Sequence, residues 1–186
     1  MKTTAIKKII YIIATLSGSM LIPAQVAIGK NTVTSPSVSL EFGTDNKGIV
    51  LPWVTSSGAV AGAVNGTIAY DLSDHKVKVK YASGWKDLSV DTTGTTIDPV
   101  TSVDGVVIQN SVATENTNAE VRIGTLSANP GILVLEDTNK AMVLPKVASP
   151  HLNIINPAPG MMVYDTTAKQ LAVFNGNVWS FWKATN

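Results

Sequence analysis

Two Tyr-Asp pairs stand 94 residues apart, Tyr70-Asp71 and Tyr164-Asp165, and each Tyr is followed fifteen residues later by a tryptophan, Trp85 and Trp179. A carboxylate beside aromatic rings could serve carbohydrate chemistry: the acid protonates a glycosidic oxygen and the rings stack on sugar faces. Glycoside hydrolysis needs a second carboxylate across a cleft, and nothing in the spacing supplies one. Aspartate at the end of a strand also hydrogen-bonds its own backbone two residues on. Turn formation therefore accounts for Asp71 and Asp165. Tyr70, Tyr164, Trp85 and Trp179 recur at fixed spacing, which suits rings that fill a small β-structure, where Tyr and Trp bury large areas. Trp53 and Trp182 face Lys146 and Leu88 in the other copy. Having no aromatic counterpart, they are the candidates for a ligand or partner contact.

Other chemistries find less support. Asp71, Ser73 and Asp74 could offer oxygens to calcium, but the run of carboxylates and closing Glu of a calcium loop are missing. The second copy has Thr167 and Ala168 at the last two positions. His75 and His151 each stand alone, outside any metal-ligand spacing. The chain contains no nucleophile-elbow or phosphate-loop pattern and no cysteine, which removes disulfides, thiolate sites and Cys nucleophiles. No catalytic residue, metal or cofactor is expected. Lys76, Lys78 and Lys80 alternate along one stretch and read as a solvated strand face that protects an edge.

The elements that must position these residues are β-strands. "KVKVKY" alternates with period two; "TIAYDL", "MMVYD" and "LAVF" are short apolar runs. Ser83-Gly84 and Asn175-Gly176-Asn177 are hairpin turn residues. Each copy thus ends in an antiparallel three-stranded meander. "VSLEF" and "GILVLE" add a strand upstream, and Leu51-Pro52 and Leu144-Pro145 end the next, since proline cannot donate to a ladder. A helical turn is expected near Pro150. Matching Val-x-Ile-Gly starts (Val26, Val121) extend the repeat to residues 25–88 and 120–183. Residues 89–119 are rich in Thr, Ser, Asp and Gly and read as a linker, with "VVIQNSVA" as a candidate strand. The expected fold is all-β: two tandem copies of a small antiparallel meander module.

Residues 1–24 have a basic start (Lys2, Lys7, Lys8), an apolar stretch, then small residues and Pro23-Ala24. This is the layout of a signal peptide, with cleavage expected after Ala24 and no membrane span afterwards. Polar Ser17, Ser19 and Gln25 interrupt the run and disfavour an uncleaved anchor. Removing this segment leaves 11 basic and 13 acidic residues, and Arg122 is the one arginine. Nucleic-acid binding, which wants a basic stripe, is excluded on this ground.

"QVAIGKNTVTSPSVSLEF…NKGIVLP" and "LVLEDTNKAMVLPKV…INPAPGMMVYDTTAKQLAVFNGNVW" resemble a repeated module of secreted Bacteroidetes-type proteins and phage tail-fibre-like proteins. The pattern is Asn-Lys-Gly, Leu-Pro, a glycine loop, Tyr-Asp and Trp, with Ala141 replacing the Gly in the second copy. The resemblance implies an exported structural or adhesion protein of the cell surface or extracellular space, often an appendage or fibre part, and not an enzyme. Its partners would be other subunits, in a homo-oligomer, or surface glycans. The alternative is a carbohydrate-binding protein using exposed Trp and Tyr. Asp91-Thr92-Thr93 and Asp165-Thr166-Thr167 also resemble the O-glycosylation pattern of such exported proteins.

Overall fold

A computed structural model describes residues 25–90, 93–109, 119–124 and 128–183. The expected signal segment, Asp91-Thr92 and residues 110–118 lie outside the described residues.

The first copy forms seven strands: β1 (Val26–Ile28), β2 (Val38–Phe42), β3 (Ile49–Val50), β4 (Trp53–Val54), β5 (Ile68–Asp71), β6 (Lys76–Tyr81) and β7 (Gly84–Asp87). The second repeats them as β8 (Val121–Gly124), β9 (Leu133–Glu136), β10 (Ala141–Val143), β11 (Lys146–Val147), β12 (Met161–Asp165), β13 (Gln170–Phe174) and β14 (Trp179–Trp182). Two short helices, α1 (Gly105–Gln109) and α2 (Pro150–Asn153), complete the described elements beside a 3-10 turn at Ser57–Ala59.

The all-β expectation holds, and the meanders are where the periodicity put them. β5, β6 and β7 pair antiparallel in sequence, as do β12, β13 and β14. Val77 and Val79 of β6 are buried while the intervening lysines are not, as period-two alternation requires. Each meander also carries a parallel strand at its edge. β4 runs beside β5 with Trp53 opposite Tyr70; β11 runs beside β12 with Lys146 opposite Tyr164. The prolines explain how. Each lacks an N–H but keeps a carbonyl, and Pro52 and Pro145 accept the Tyr70 and Tyr164 N–H groups, both at 2.9 Å. β1–β2 and β8–β9 are parallel pairs as well.

Three expectations need correction. β6 is a central strand between β5 and β7, so its lysines guard no edge. Lys76 pairs with Asp87 at 2.6 Å, and Lys78 lies between Asp71 (3.0 Å) and Asp74 (2.6 Å). The second copy has Ala168 and Ala172 at the positions of Asp74 and Lys78, so it lacks this ion pair. The candidate strand in "VVIQNSVA" begins instead as α1. Asp104 Oδ1 accepts the Val106 N–H at 3.0 Å, a helix-starting bond that aspartate supplies well. Finally, the described beginning of the stretch read as a linker packs into the fold, with Ser89 and Thr96 buried. The Ser89 hydroxyl accepts the Val77 N–H at 2.8 Å.

The copies, separate in sequence, are joined in space. β2 pairs parallel with β10, and β3 pairs antiparallel with β12. One core cluster combines Leu51, Tyr70 and Val77 of the first copy with Met162 and Val173 of the second. A second cluster, around Val147, Val163, Ala172 and Phe174, lies within the second copy.

Candidate functional site

Of the residues singled out by type and spacing, Tyr70, Trp53 and Trp182 lie along the seam between the copies. Tyr70 sits at its centre. β5 turns its ring inward, and it is fully buried. Its hydroxyl donates to the Asn175 carbonyl of the second copy at 2.7 Å and lies 3.4 Å from His75 Nδ1. Burial, with Asp74 adding to it, pushes the phenol well above the usual tyrosine range. Tyr70 is therefore a neutral donor.

Trp53 packs on Tyr70 with ring centroids 5.9 Å apart. Its indole N–H donates to the Pro159 carbonyl at 2.9 Å, again across the seam. Gly160 makes this approach feasible. Its φ is +77°, and a Cβ there would lie 3.0 Å from Tyr70 Cβ and 3.4 Å from Trp53 Nε1. The Gly160 carbonyl accepts the Leu51 N–H at 3.1 Å and its own N–H donates to Phe174. Trp182 reaches back in the opposite direction: its indole N–H donates to the Leu88 carbonyl. Lys86 Nζ lies 5.7 Å from its ring centre. Trp53 is thus half buried in the seam, and Trp182 is a partly exposed ring anchored by its nitrogen.

The other repeat positions serve their own copies. Trp179 packs on Phe174 at 5.3 Å, and half-buried Trp85 stands opposite Lys80. Asp71 and Asp165 are both buried at strand ends and hold equivalent loops. Asp71 accepts the N–H groups of Ser57 (2.7 Å) and Ser73 (2.9 Å); Asp165 accepts those of Ser149 (3.1 Å) and Thr167 (2.9 Å). Burial alone would raise both carboxyls. The Ser73, Ser57 and Lys78 donors outweigh it at Asp71, and the Ala168, Thr167 and Ser149 amides at Asp165, so both are held below the usual range. A carboxylate so fully engaged is a structural anion, not a proton donor.

His75 and Lys169 occupy matching turn positions with φ near +54° and +55°. His151, in α2, packs edge-on against Phe181 at 5.7 Å. Among the described residues no cluster of three or more His, Cys, Asp or Glu could hold a metal.

An open cleft of about 270 Å³ adjoins the seam, walled by Trp53, Ile97, Asp98, Pro157, Pro159 and Phe174 among others. Residues 96–105 form its outer wall, folding back through the Ile97–Asp104 bridge. Asp98 is committed to this loop, accepting the Val100 and Thr101 N–H groups at 2.8 Å each. The cleft therefore offers apolar and proline surface rather than a pair of carboxylates.

Sequence reasoning missed three features. Asn175 joins Tyr70 and Thr95 through one carbonyl; its Asn-Gly-Asn context suggested only a turn. Gly160 is legible as a repeated glycine but not as a contact. Glu41, fully buried on β2, accepts from Lys30 (2.8 Å) and from the Thr34 N–H (2.6 Å). The Lys30 and Thr34 bonds hold its carboxyl down to about 2. Val134 takes its place in the second copy, so the repeat gave no signal.

Residues 122–186 match a family described as a phage tail like trimerisation region. The match begins in β8 and coincides with the second copy. No curated protein and no solved structure matches the chain.

Proposed function

We propose that this protein is a non-enzymatic structural subunit of a homotrimeric, fibre-type assembly, exported to the cell surface or the extracellular space. The carrying observation is the match of residues 122–186 to a phage tail like trimerisation region, the part of the chain whose strands β10 and β12 already accept strands from another copy of the same repeat. The engaged carboxylates of Asp71 and Asp165 and the apolar cleft agree with a scaffold role. Exposed strand edges and apolar side chains, such as Ile132 and Leu133 of the second copy, are what further subunits would cover. Adhesion to surface glycans is the finer form of this reading, with Trp182 as the accessible ring.

Light scattering on size-exclusion eluate of residues 25–186 tests the assembly. A mass three times that of the chain is expected, and a monomer across micromolar concentrations overturns the proposal. Export has a separate readout: mature protein recovered from the native cell exterior should begin at Gln25. Protein retained in the cytoplasm with Met1 intact would rule export out.

A further inference from the structure

The pairing that joins the two copies leaves one half of itself unused in each copy. The first copy gives two strands to the second. β2 lies along β10, with Leu40 opposite Met142 and Glu41 opposite Val143. β3 lies along β12, with Ile49 opposite Met162 and Val50 opposite Met161. The repeat places β9 where β2 stands, β10 where β3 stands, and Thr67-Ile68 where Met161-Met162 stand. The second copy therefore carries the same giving edge, on β9 and β10. The first copy carries the same receiving edge, on β3 and the start of β5. Among the described residues neither edge has a strand on it.

Burial follows the pairing. Leu40 on paired β2 is 1% exposed, whereas its counterpart Leu133 on β9 is 47% exposed. Met162 is 2% exposed, while Ile68 in the equivalent place is only half buried. Apolar side chains on an unpaired edge template further strand addition.

The side chains also say which copy must meet which. Gly48 lies so close to β12 that a Cβ there would fall 2.5 Å from Met161 Cγ and 2.7 Å from Val163 Cγ1. The second copy has Ala141 in the place of Gly48. An alanine cannot approach Met161 and Val163 without displacing them. The corresponding residues of the first copy are Thr67 and Ala69, which are smaller and leave room.

We propose that the second copy of one protomer docks head-to-tail on the first copy of another, repeating the internal pairing between chains. Leu133 then faces Ile49, Val134 faces Val50, and Ala141 lies over Thr67 and Ala69. The contact is heterologous, so it closes into a ring or propagates. Closure at three chains, which rests on the trimeric reading above, places six copies around the axis.

The cysteine-free chain makes the test direct. Neighbouring strands hold facing Cα atoms within the roughly 4.4–6.8 Å that a disulfide spans. Val50→Cys and Val134→Cys chains carrying different tags are co-expressed, oxidised and run without reductant, with Ile49→Cys and Leu133→Cys as a second pair. The expected product is a linked dimer holding both tags, absent when either variant is expressed alone. A trimer by light scattering with no mixed-tag product from either pair overturns the docking and leaves the oligomeric reading standing. Links between two Val134→Cys chains also overturn it, because they place second copy against second copy. A monomeric chain without links sinks both readings.

Discussion

At the scale of single residues, the repeated Tyr-Asp pair has two separable tasks. Asp71 and Asp165 close loops, and Tyr70 alone crosses the seam. Tyr70→Phe removes one buried hydroxyl bond and leaves the Asn175 carbonyl with the Thr95 N–H at 3.2 Å. Urea unfolding should show a loss of about 1 kcal/mol. Tyr164→Phe, at a half-buried ring, should stay within about 0.5 kcal/mol of the parent. The carboxylates predict a pH dependence. Asp71, Asp165 and Glu41 all have folded values below their unfolded ones. Their contribution is complete above the unfolded range of about 4 and is lost as pH falls toward the folded values; for Glu41 the window runs from 4.5 to about 2. Thermal melts by circular dichroism should show a steady midpoint from pH 7 to about 5 and a decline below about 4.5. Asp165→Asn should flatten part of that decline. The Asp role was legible because its bonds are local. The Tyr70 bond was not: its acceptor lies 105 residues away, and no spacing rule spans that distance.

At the scale of elements, equivalent glycines separate backbone strain from contact. Gly66 and Gly160 both have positive φ, +91° and +77°, yet a Cβ at Gly66 meets open space while one at Gly160 meets Tyr70 and Trp53. Gly66→Ala should cost about 1 kcal/mol from backbone conformation alone. Gly160→Ala should cost more, about 2–4 kcal/mol, because strain adds to a displaced aromatic pair. Equal losses in chemical denaturation would show that the seam yields freely there. The meanders could be read directly, since alternation and turn residues are properties of neighbouring positions. The parallel strands β4 and β11 escaped because each is two residues long and carries no period. Their prolines marked an ending correctly, but the carbonyl that begins the next pairing has no sequence signature. The helix at 105–109 illustrates a different conflict. Val106, Val107 and Ile108 favour strand by propensity, and one capping aspartate in tertiary context overrides them.

At the scale of the whole molecule, the two copies are joined by backbone pairing and a common core. Sheets and a core cluster are shared across the seam, so unfolding should appear as a single calorimetric transition with matching van't Hoff and calorimetric enthalpies. Two resolved transitions would mean that β2–β10 and β3–β12 contribute little. The duplication was legible from spacing, but its consequence was not. Two copies in tandem suggest beads joined by a tether, whereas the described beginning of the stretch between them is packed at Ser89, at Thr96 and beside Gly176, where a Cβ would strike the Thr95 carbonyl. The division of the tryptophans carries an optical consequence. Trp85 and Trp179 sit within their own meanders, while Trp53 and Trp182, the pair without counterparts, each donate an indole N–H to the opposite copy. With the seam loosened, those two chromophores alone exchange a carbonyl for water, so intrinsic fluorescence from a Trp85→Phe/Trp179→Phe chain becomes a dye-free gauge of how tightly the halves are joined.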